Sequence, residues 1–336
     1  MLRATYLGDL TMNQPLLEVK NLTKVYRIGG LLSGRTVKAI DSVSFQIPSD
    51  KPKIIALVGE SGSGKSTIAR IILGLLQPTS GEVIYKGRNI LEWLKKNKLE
   101  YYKEVQPIFQ DPYGIYNPFY RVERVLELAV KKFKLSSNRE DTRKLILKAM
   151  EDIGLRPEDI LGRYPHQLSG GERQRLMLVR ILLIKPNLII ADEPISMIDV
   201  SLRAMFLNYL ISFKDKYNIS SIFITHDLNV ASYVADDILV LCHGRIVEEG
   251  PKDEVITEPL HPYTKLLTSS IPIPDPTKRW KEQLDLTSIE SFKKLKVEKG
   301  CVFFARCPFA SEKCRNETPP FLEIKTGRKV ACFLYL

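Results

Sequence analysis

Short apolar runs alternate with helical patterns through most of the chain. The runs are rich in Ile, Val or Leu, and they predict strands at 16–20, 54–58, 188–191, 221–225 and 238–242. A further strand at 246–248 would pair with the 238–242 run across a tight turn at His243 and Gly244. Strands that alternate with helices are typical of an α/β domain with a largely parallel sheet.

The pattern between about 91 and 168 changes to a helical period. Leu145, Ala149 and Ile153 fall on one helix face, residues 137–140 fit a capping box, and Gly154 is a stop signal. This stretch predicts a helical subdomain inserted into the α/β domain.

The same patterns divide the chain into three parts. Residues 1–15 lack periodicity and predict a loose leader, 16–256 form the main domain, and 257–336 form an extension. Within the extension, a proline-punctuated linker at 269–280 precedes a second small unit. The N-terminus lacks the apolar core of a signal peptide, which predicts a protein of the reducing cytosol.

Composition and charge narrow the class of protein. The 336 residues are 44% hydrophobic and 26% charged, which excludes disordered and low-complexity classes. The richest apolar run, 176–190, is interrupted by Arg180 and Lys185, so it is not predicted to cross a membrane. The net charge of +11 fits nucleic acid, an anionic membrane surface or phosphate ligands, and does not choose among them.

A glycine-rich motif at 59–66 fits the pattern GxxxxGK[ST], between a predicted strand and a predicted helix. Its backbone N–H groups would surround phosphates, Lys65 would reach the β- and γ-phosphates, and Ser66 would ligate Mg²⁺. The nucleotide-binding residues predicted here are Gly59, Glu60, Ser61, Gly62, Ser63, Gly64, Lys65, Ser66 and Thr67.

Two carboxylates follow the apolar run at 188–191, where open α/β sheets bind ligands. Asp192 is predicted to hold the Mg²⁺ shell, and Glu193 to activate a water for in-line attack on the γ-phosphate. A pair of solvated acids at a strand end is the alternative for these two residues taken alone.

A second anion site is predicted at 168–175, LSGGERQR, where a serine and two glycines begin a helix. This motif, together with the two before it, resembles the ATP-binding subunits of ABC transporters over about residues 16–263. The resemblance implies a P-loop NTPase core of the ABC ATPase type. It also implies that Ser169, Gly170 and Gly171 complete the ATP site of an opposing subunit, although Glu172 stands where the commonest pattern has Gln.

Other positions take their roles from the same resemblance. Tyr26 is implied to stack on adenine, Gln110 to contact Mg²⁺ and the attacking water, and His226 to bond the γ-phosphate. The loop 196–199 is implied to link two ATP sites, although Met197 and Ile198 replace the usual residues.

The segments QDPYGIYNPFYRV at 110–122 and EPLHPYTK at 258–265 resemble the oligopeptide and dipeptide importer branch. This branch implies a second ABC ATPase subunit in a heterodimer, with a homodimer as the alternative. It also implies two transmembrane permeases, an extracytoplasmic substrate-binding protein, and a peripheral place at the cytoplasmic face of the membrane. Five aromatic side chains are predicted to form a permease-docking patch, with packing in the helical subdomain as the alternative: Phe109, Tyr113, Tyr116, Phe119 and Tyr120.

Two rival functions are the alternatives to peptide import. An importer of oligosaccharide or nickel would carry similar ATPase subunits. A soluble ABC ATPase that acts on nucleic acid or the ribosome would suit the positive charge. Only about one hundred residues separate Lys65 from Ser169, too few for the coiled coil of repair ATPases, so no nucleic-acid partner is expected.

Four cysteines crowd the last 36 residues: Cys301, Cys307, Cys314 and Cys332. In a cytosolic chain, four thiolates without disulfides suggest a metal site. Zinc accepts four sulfurs but usually binds tight CxxC pairs, and iron–sulfur clusters have no single obligatory spacing. The resemblance to tails of the peptide-importer branch favours a [4Fe–4S] cluster, with zinc and free cysteines as the alternatives.

Overall fold

The computed structural model describes residues 14–29, 34–110, 116–196, 198–270 and 299–336. Most of the predicted leader, Met197 and nearly all of the predicted linker lie outside these residues. The strands are β1 (Leu17–Ile28), β2 (Arg35–Ile47), β3 (Ile54–Val58), β4 (Ser80–Tyr85), β5 (Arg88–Asn89), β6 (Val105–Ile108), β7 (Leu188–Asp192), β8 (Ser220–Thr225), β9 (Asp237–Cys242), β10 (Arg245–Pro251), β11 (Leu322–Lys325) and β12 (Arg328–Val330).

The helices fall between these strands and into the segments around them. They are α1 (Lys65–Ile72), α2 (Ile90–Lys96), α3 (Lys98–Glu104), α4 (Glu123–Lys132), α5 (Arg139–Asp152), α6 (Pro157–Ile160), α7 (Gly170–Ile184), α8 (Val200–Tyr217), α9 (Leu228–Val234), α10 (Lys252–Thr257), α11 (Pro262–Ser269) and α12 (Glu312–Asn316). Among the described residues, no helix is long and apolar enough to span a bilayer.

The strands build two sheets. The larger has the order β11-β12-β10-β9-β3-β8-β7-β6, and its strands from β9 to β6 run parallel. β3 and β8 are buried at every position, as expected for strands covered on both faces. The smaller sheet, β2-β1-β4-β5, is antiparallel. An α/β fold with a parallel central sheet is therefore confirmed.

The hairpin predicted at His243 and Gly244 is present between β9 and β10. Both turn residues have positive φ, 45° for His243 and 85° for Gly244, which matches the favoured two-residue turn. Cys242, at the end of β9, is buried.

The helical stretch at 91–168 differs from its prediction in three details. β6 lies within it and pairs with β7 at the edge of the large sheet. The predicted capping box at 137–140 is replaced by a cap one residue later. Asn138 caps α5 by accepting a hydrogen bond from the Asp141 N–H at 2.8 Å. Leu145 is exposed, and Ile146 takes the core position instead.

The residues after 299 join the large sheet instead of forming a separate layer. β12 pairs with β10, and Cys301 and Phe303 share an apolar core with strands β3 and β9 and with Tyr263 of α11. The described part of the extension thus packs directly against β3, which leads into the predicted phosphate loop at 59–66.

A buried ion pair fixes this junction. Arg328 of β12 donates to the Glu248 carboxylate of β10, and both side chains are at most 2% exposed. The same carboxylate accepts the N–H groups of Leu260 and His261, each at 2.8 Å. Burial lowers the pKa of His261 to about 4, so its ring stays neutral near pH 7.

Candidate active site

The predicted phosphate loop, residues 59–66, connects β3 to α1 in the middle of the large sheet. Lys65, 5% exposed, folds back so that its Nζ donates to the carbonyls of Gly59 at 2.7 Å and Glu60 at 2.9 Å. Burial lowers the pKa of Lys65, and the carboxylates of Glu193, Asp192 and Glu60 oppose that shift. The loop therefore holds a buried lysine that interacts electrostatically with three carboxylates.

Two glycines let this loop close against its neighbours. A Cβ on Gly59 would lie 2.1 Å from the Leu241 carbonyl oxygen, and one on Gly64 would lie 2.4 Å from that of Ala39. Both residues also have positive φ, 151° and 111°, which glycine adopts without strain. The loop can approach β2 and β9 this closely only because neither position has a side chain.

Asp192 ends β7 and faces the start of α1. Its Oδ1 accepts a hydrogen bond from Ser66 Oγ at 3.1 Å. Burial raises the pKa of Asp192 despite that hydrogen bond, so the carboxylate lacks full solvation. A hydroxyl beside a poorly solvated carboxylate is a suitable donor set for Mg²⁺.

Glu193 lies between two polar side chains. Its Oε2 lies 3.5 Å from Gln110 Nε2, and its Oε1 lies 3.3 Å from His226 Nδ1. Its backbone has φ of 44°, a left-handed conformation that is uncommon for a residue with a side chain. The Glu193 N–H also donates to the Ile224 carbonyl of β8 at 3.0 Å. Backbone strain of this kind concentrates at functional sites.

The topology explains why these groups meet. β3, β8, β7 and β6 are adjacent and parallel, so their carboxyl ends lie at one edge of the sheet. The phosphate loop, His226, the two acids and Gln110 follow these four strands in that order. Ligand sites of open α/β sheets occur at this edge.

The serine–glycine motif begins α7. Ser169 caps that helix, and Glu172 completes the capping box by accepting from the Ser169 N–H at 2.7 Å and the Ser169 hydroxyl at 2.8 Å. Burial acts to raise the pKa of Glu172, but these hydrogen bonds together with the charges of Arg175 and Arg163 lower it. Within the described residues, no hydrogen bond joins Ser169, Gly170 or Gly171 to the phosphate loop of the same chain.

The aromatic side chains with predicted roles lie in different environments. Tyr26 of β1 is partly buried, with Lys24 Nζ 5.4 Å from its ring centre. Tyr116 is wrong as a member of a docking patch, because it is 6% exposed and donates to the Arg173 carbonyl inside the helical core. Phe119 is 84% exposed and Tyr120 is 45% exposed, while Tyr113 lies outside the described residues.

The four C-terminal cysteines are free thiols that line one cavity of about 90 Å³. Burial raises the pKa of Cys301 to about 11 and also raises that of Cys307 and Cys332. In the described part of the chain, no three His, Cys, Asp or Glu side chains form a group arranged to hold a metal ion. The structure brings the predicted ligands to one cavity but not into coordination geometry.

Three residues near the site were not predicted from the sequence. Gln174 of α7 donates to the Pro194 carbonyl at 2.6 Å, next to Glu193. Tyr263 and Arg306 contact Glu60 from 203 and 246 residues away. Tyr263 falls in the EPLHPYTK segment, the only signal that could have indicated it.

Comparisons with known proteins agree with this geometry. Residues 40–196 match the family described as ABC transporter, and 247–314 match the oligopeptide/dipeptide transporter C-terminal region. The chain is 40% identical to the dipeptide transport ATP-binding protein DppF of Haemophilus influenzae, over 97% of this chain and 98% of that one. It is 38% identical to DppF of Escherichia coli, over 97% and 96% of the two chains.

A solved structure extends the likeness to three dimensions. The ATP-binding cassette MJ0796, in a dimeric post-hydrolysis state bound to ADP and Pi, superposes with a TM-score of 0.61 at 27% identity. The match covers 70% of this chain and 98% of that one.

Proposed function

This chain belongs to the ATP-binding subunits of ABC transporters, and we propose that it hydrolyses ATP to power import of dipeptides or oligopeptides. The observation that carries the proposal is the meeting of the phosphate loop, Asp192, Glu193, Gln110 and His226 at one sheet edge. The oligopeptide/dipeptide region at 247–314 and the dipeptide transport relatives support the cargo class.

Phosphate binding is assigned to the loop between β3 and α1. Its backbone N–H groups lie at a helix N-terminus, where negative charge is stabilised, and Lys65 adds a full positive charge. Lys65 Nζ donates to two carbonyls of its own loop, and this contact within the loop supports its proposed role in phosphate binding. Ser66, Asp192 and Gln110 would hold Mg²⁺, which would supply charge neutralisation on the β- and γ-phosphates when bound.

Water activation is assigned to Glu193. Its carboxylate can accept a proton from a water positioned for in-line attack on the γ-phosphate. Gln110 and His226 contact opposite oxygens of this carboxylate, so they can fix its orientation and touch the same water. Tyr26 is proposed to stack on the adenine.

The serine–glycine motif requires a second subunit in this scheme. Ser169, Gly170 and Gly171 have no hydrogen bond to the described phosphate loop of their own chain, and they present a helix N-terminus to an anion. They would bind the γ-phosphate held by an opposing ATPase subunit. The dimeric cassette structure supports this assembly, and a heterodimer is proposed here.

The rest of the transporter is proposed by the same reasoning. Two permeases would span the membrane, a substrate-binding protein would deliver peptide, and this subunit would lie peripherally at the cytoplasmic face. No nucleic-acid partner is proposed. Phe119 and Tyr120 remain as an exposed aromatic pair that a permease could cover.

The cargo can be tested directly by uptake. Proteoliposomes that contain this chain with its partner ATPase and permeases should take up labelled dipeptide when ATP is inside and the binding protein outside. Unlabelled peptide should compete, whereas oligosaccharide and nickel should not. Competition by sugar or nickel alone would replace the peptide assignment and leave the ATPase assignment intact.

We also propose a [4Fe–4S] cluster on Cys301, Cys307, Cys314 and Cys332, with zinc as the alternative. The support is that four free thiols from separated positions line one cavity and form a soft donor set. The four sulfurs would have to move closer together, and the raised pKa values mean that binding would release protons.

The cluster can be tested by anaerobic purification, which should give a brown protein with about four irons per chain. A colourless protein with zinc or four titratable thiols would refute the cluster.

A further inference from the structure

Glu60, the second residue of the phosphate loop, is held at three points. Its carbonyl accepts from Lys65 Nζ at 2.9 Å, and its N–H donates to the Tyr263 hydroxyl at 2.9 Å. Its two carboxylate oxygens each accept from one nitrogen of Arg306, both at 2.9 Å. This paired geometry is the strongest form of contact between a guanidinium and a carboxylate.

Two of the three contacts come from one apolar unit in the C-terminal part of the chain. The rings of Tyr263 and Phe303 lie 5.3 Å apart, and the Arg306 guanidinium lies 5.5 Å from the Phe303 ring. Tyr263 and Phe303 are at most 3% exposed. Buried rings therefore fix both the hydroxyl and the guanidinium that reach the loop.

The contacts of Glu60 with Tyr263 and Arg306 join the two regions of the chain that match different family descriptions. Glu60 lies in the ABC transporter region, 40–196, whereas Tyr263 and Arg306 lie in the oligopeptide/dipeptide region, 247–314. The second region thus supplies contacts that the phosphate loop lacks on its own.

We propose that Arg306 and Tyr263 are positioning residues of the phosphate loop, so that ATP affinity depends on the C-terminal region. The proposal rests on the proposed function, because it assumes that the loop binds ATP. Arg306 balances the Glu60 carboxylate, which would otherwise repel the incoming triphosphate. Together with Tyr263 it orients residue 60, whose carbonyl holds Lys65 in place.

Equilibrium binding of a fluorescent ATP analogue to the full chain tests the proposal. Arg306→Ala should raise Kd about 3- to 10-fold, as expected for a partly exposed charge pair with paired hydrogen bonds. Arg306→Lys should recover part of the loss. Tyr263→Phe keeps the ring and removes only the hydroxyl, and it should raise Kd about 2- to 5-fold.

A double-variant cycle separates positioning from general damage. Once Glu60→Gln has removed the charge, adding Arg306→Ala should cost much less than it does in the wild type. Arg315→Ala, an exposed arginine of the same C-terminal segment, should leave Kd unchanged. Unchanged affinity in Arg306→Ala, or additive effects in the cycle, would overturn the proposal.

Amide hydrogen exchange without nucleotide gives a readout independent of ATP. Residues 60–64 should exchange several-fold faster in Arg306→Ala, with an unchanged melting temperature. Equal exchange in wild type and variant would reject the positioning role. If the wild type failed to bind ATP but exchange was still faster in the variant, the proposed function would be refuted. The claim that Arg306 positions the loop would still stand.

Discussion

Individual residues carry the chemistry here through unusual local environments. Glu193 combines a left-handed backbone with contacts from Gln110 and His226, and Lys65 is 5% exposed inside its loop. Such strain and desolvation persist only where the surrounding fold enforces them. Residue identities at the motif positions were predictable from spacing, but the φ of Glu193 and the inward turn of Lys65 were not, because both depend on neighbours from distant strands.

Glu172 gives a prediction about a single residue. It completes the capping box of α7, so Glu172→Ala should lower the free energy of unfolding by about 1 kcal/mol. Glu172→Gln keeps an acceptor for the Ser169 N–H and should cost much less. Chemical denaturation of both variants checks this. An equal loss in the two variants would mean that the charge near the helix N-terminus matters more than the cap.

These residues lie on strands and helices, and the sequence predicted some of these elements much better than others. The apolar runs that became β3, β7, β8 and β9 were predicted almost to the residue, because strands buried on both faces have continuous apolar sequence. β6 was missed because four residues that include Pro107 give little signal, and edge strands tolerate proline. Leu145 was predicted to share one apolar helix face with Ala149 and Ile153, but it is exposed, and its neighbour Ile146 is buried instead.

The contact between β10 and β12 yields a second prediction. Arg328→Ala would leave Glu248 buried without its cation, so it should lower the free energy of unfolding by about 3–5 kcal/mol. Lys329→Ala on the same strand removes a partly exposed ion pair with Glu249 and should cost about 1 kcal/mol or less. Denaturant unfolding of the two variants side by side tests this. Similar small losses would show that the buried pair does not anchor the C-terminal region.

At the scale of the whole molecule, folding brings together segments whose contact no local sequence pattern predicts. Glu60 and Arg306 are 246 residues apart, and the sequence around either residue does not indicate contact with the other. The fold class, the phosphate loop and the acids at the end of β7 could be predicted because each is a local pattern with a physical requirement. The packing of the C-terminal region on the loop could not, because it depends on which surfaces meet after folding.

The most direct test of the proposed site is ATP turnover by the complete, assembled transporter that carries Glu193→Gln. This change keeps the shape of the side chain and removes its basicity, so ATP should bind within a few-fold of wild type while turnover falls about 100-fold or more. Glu92→Gln, an exposed acid of α2, should turn over ATP like the wild type. Wild-type turnover in the Glu193 variant would contradict the assignment of this residue and of the site built around it.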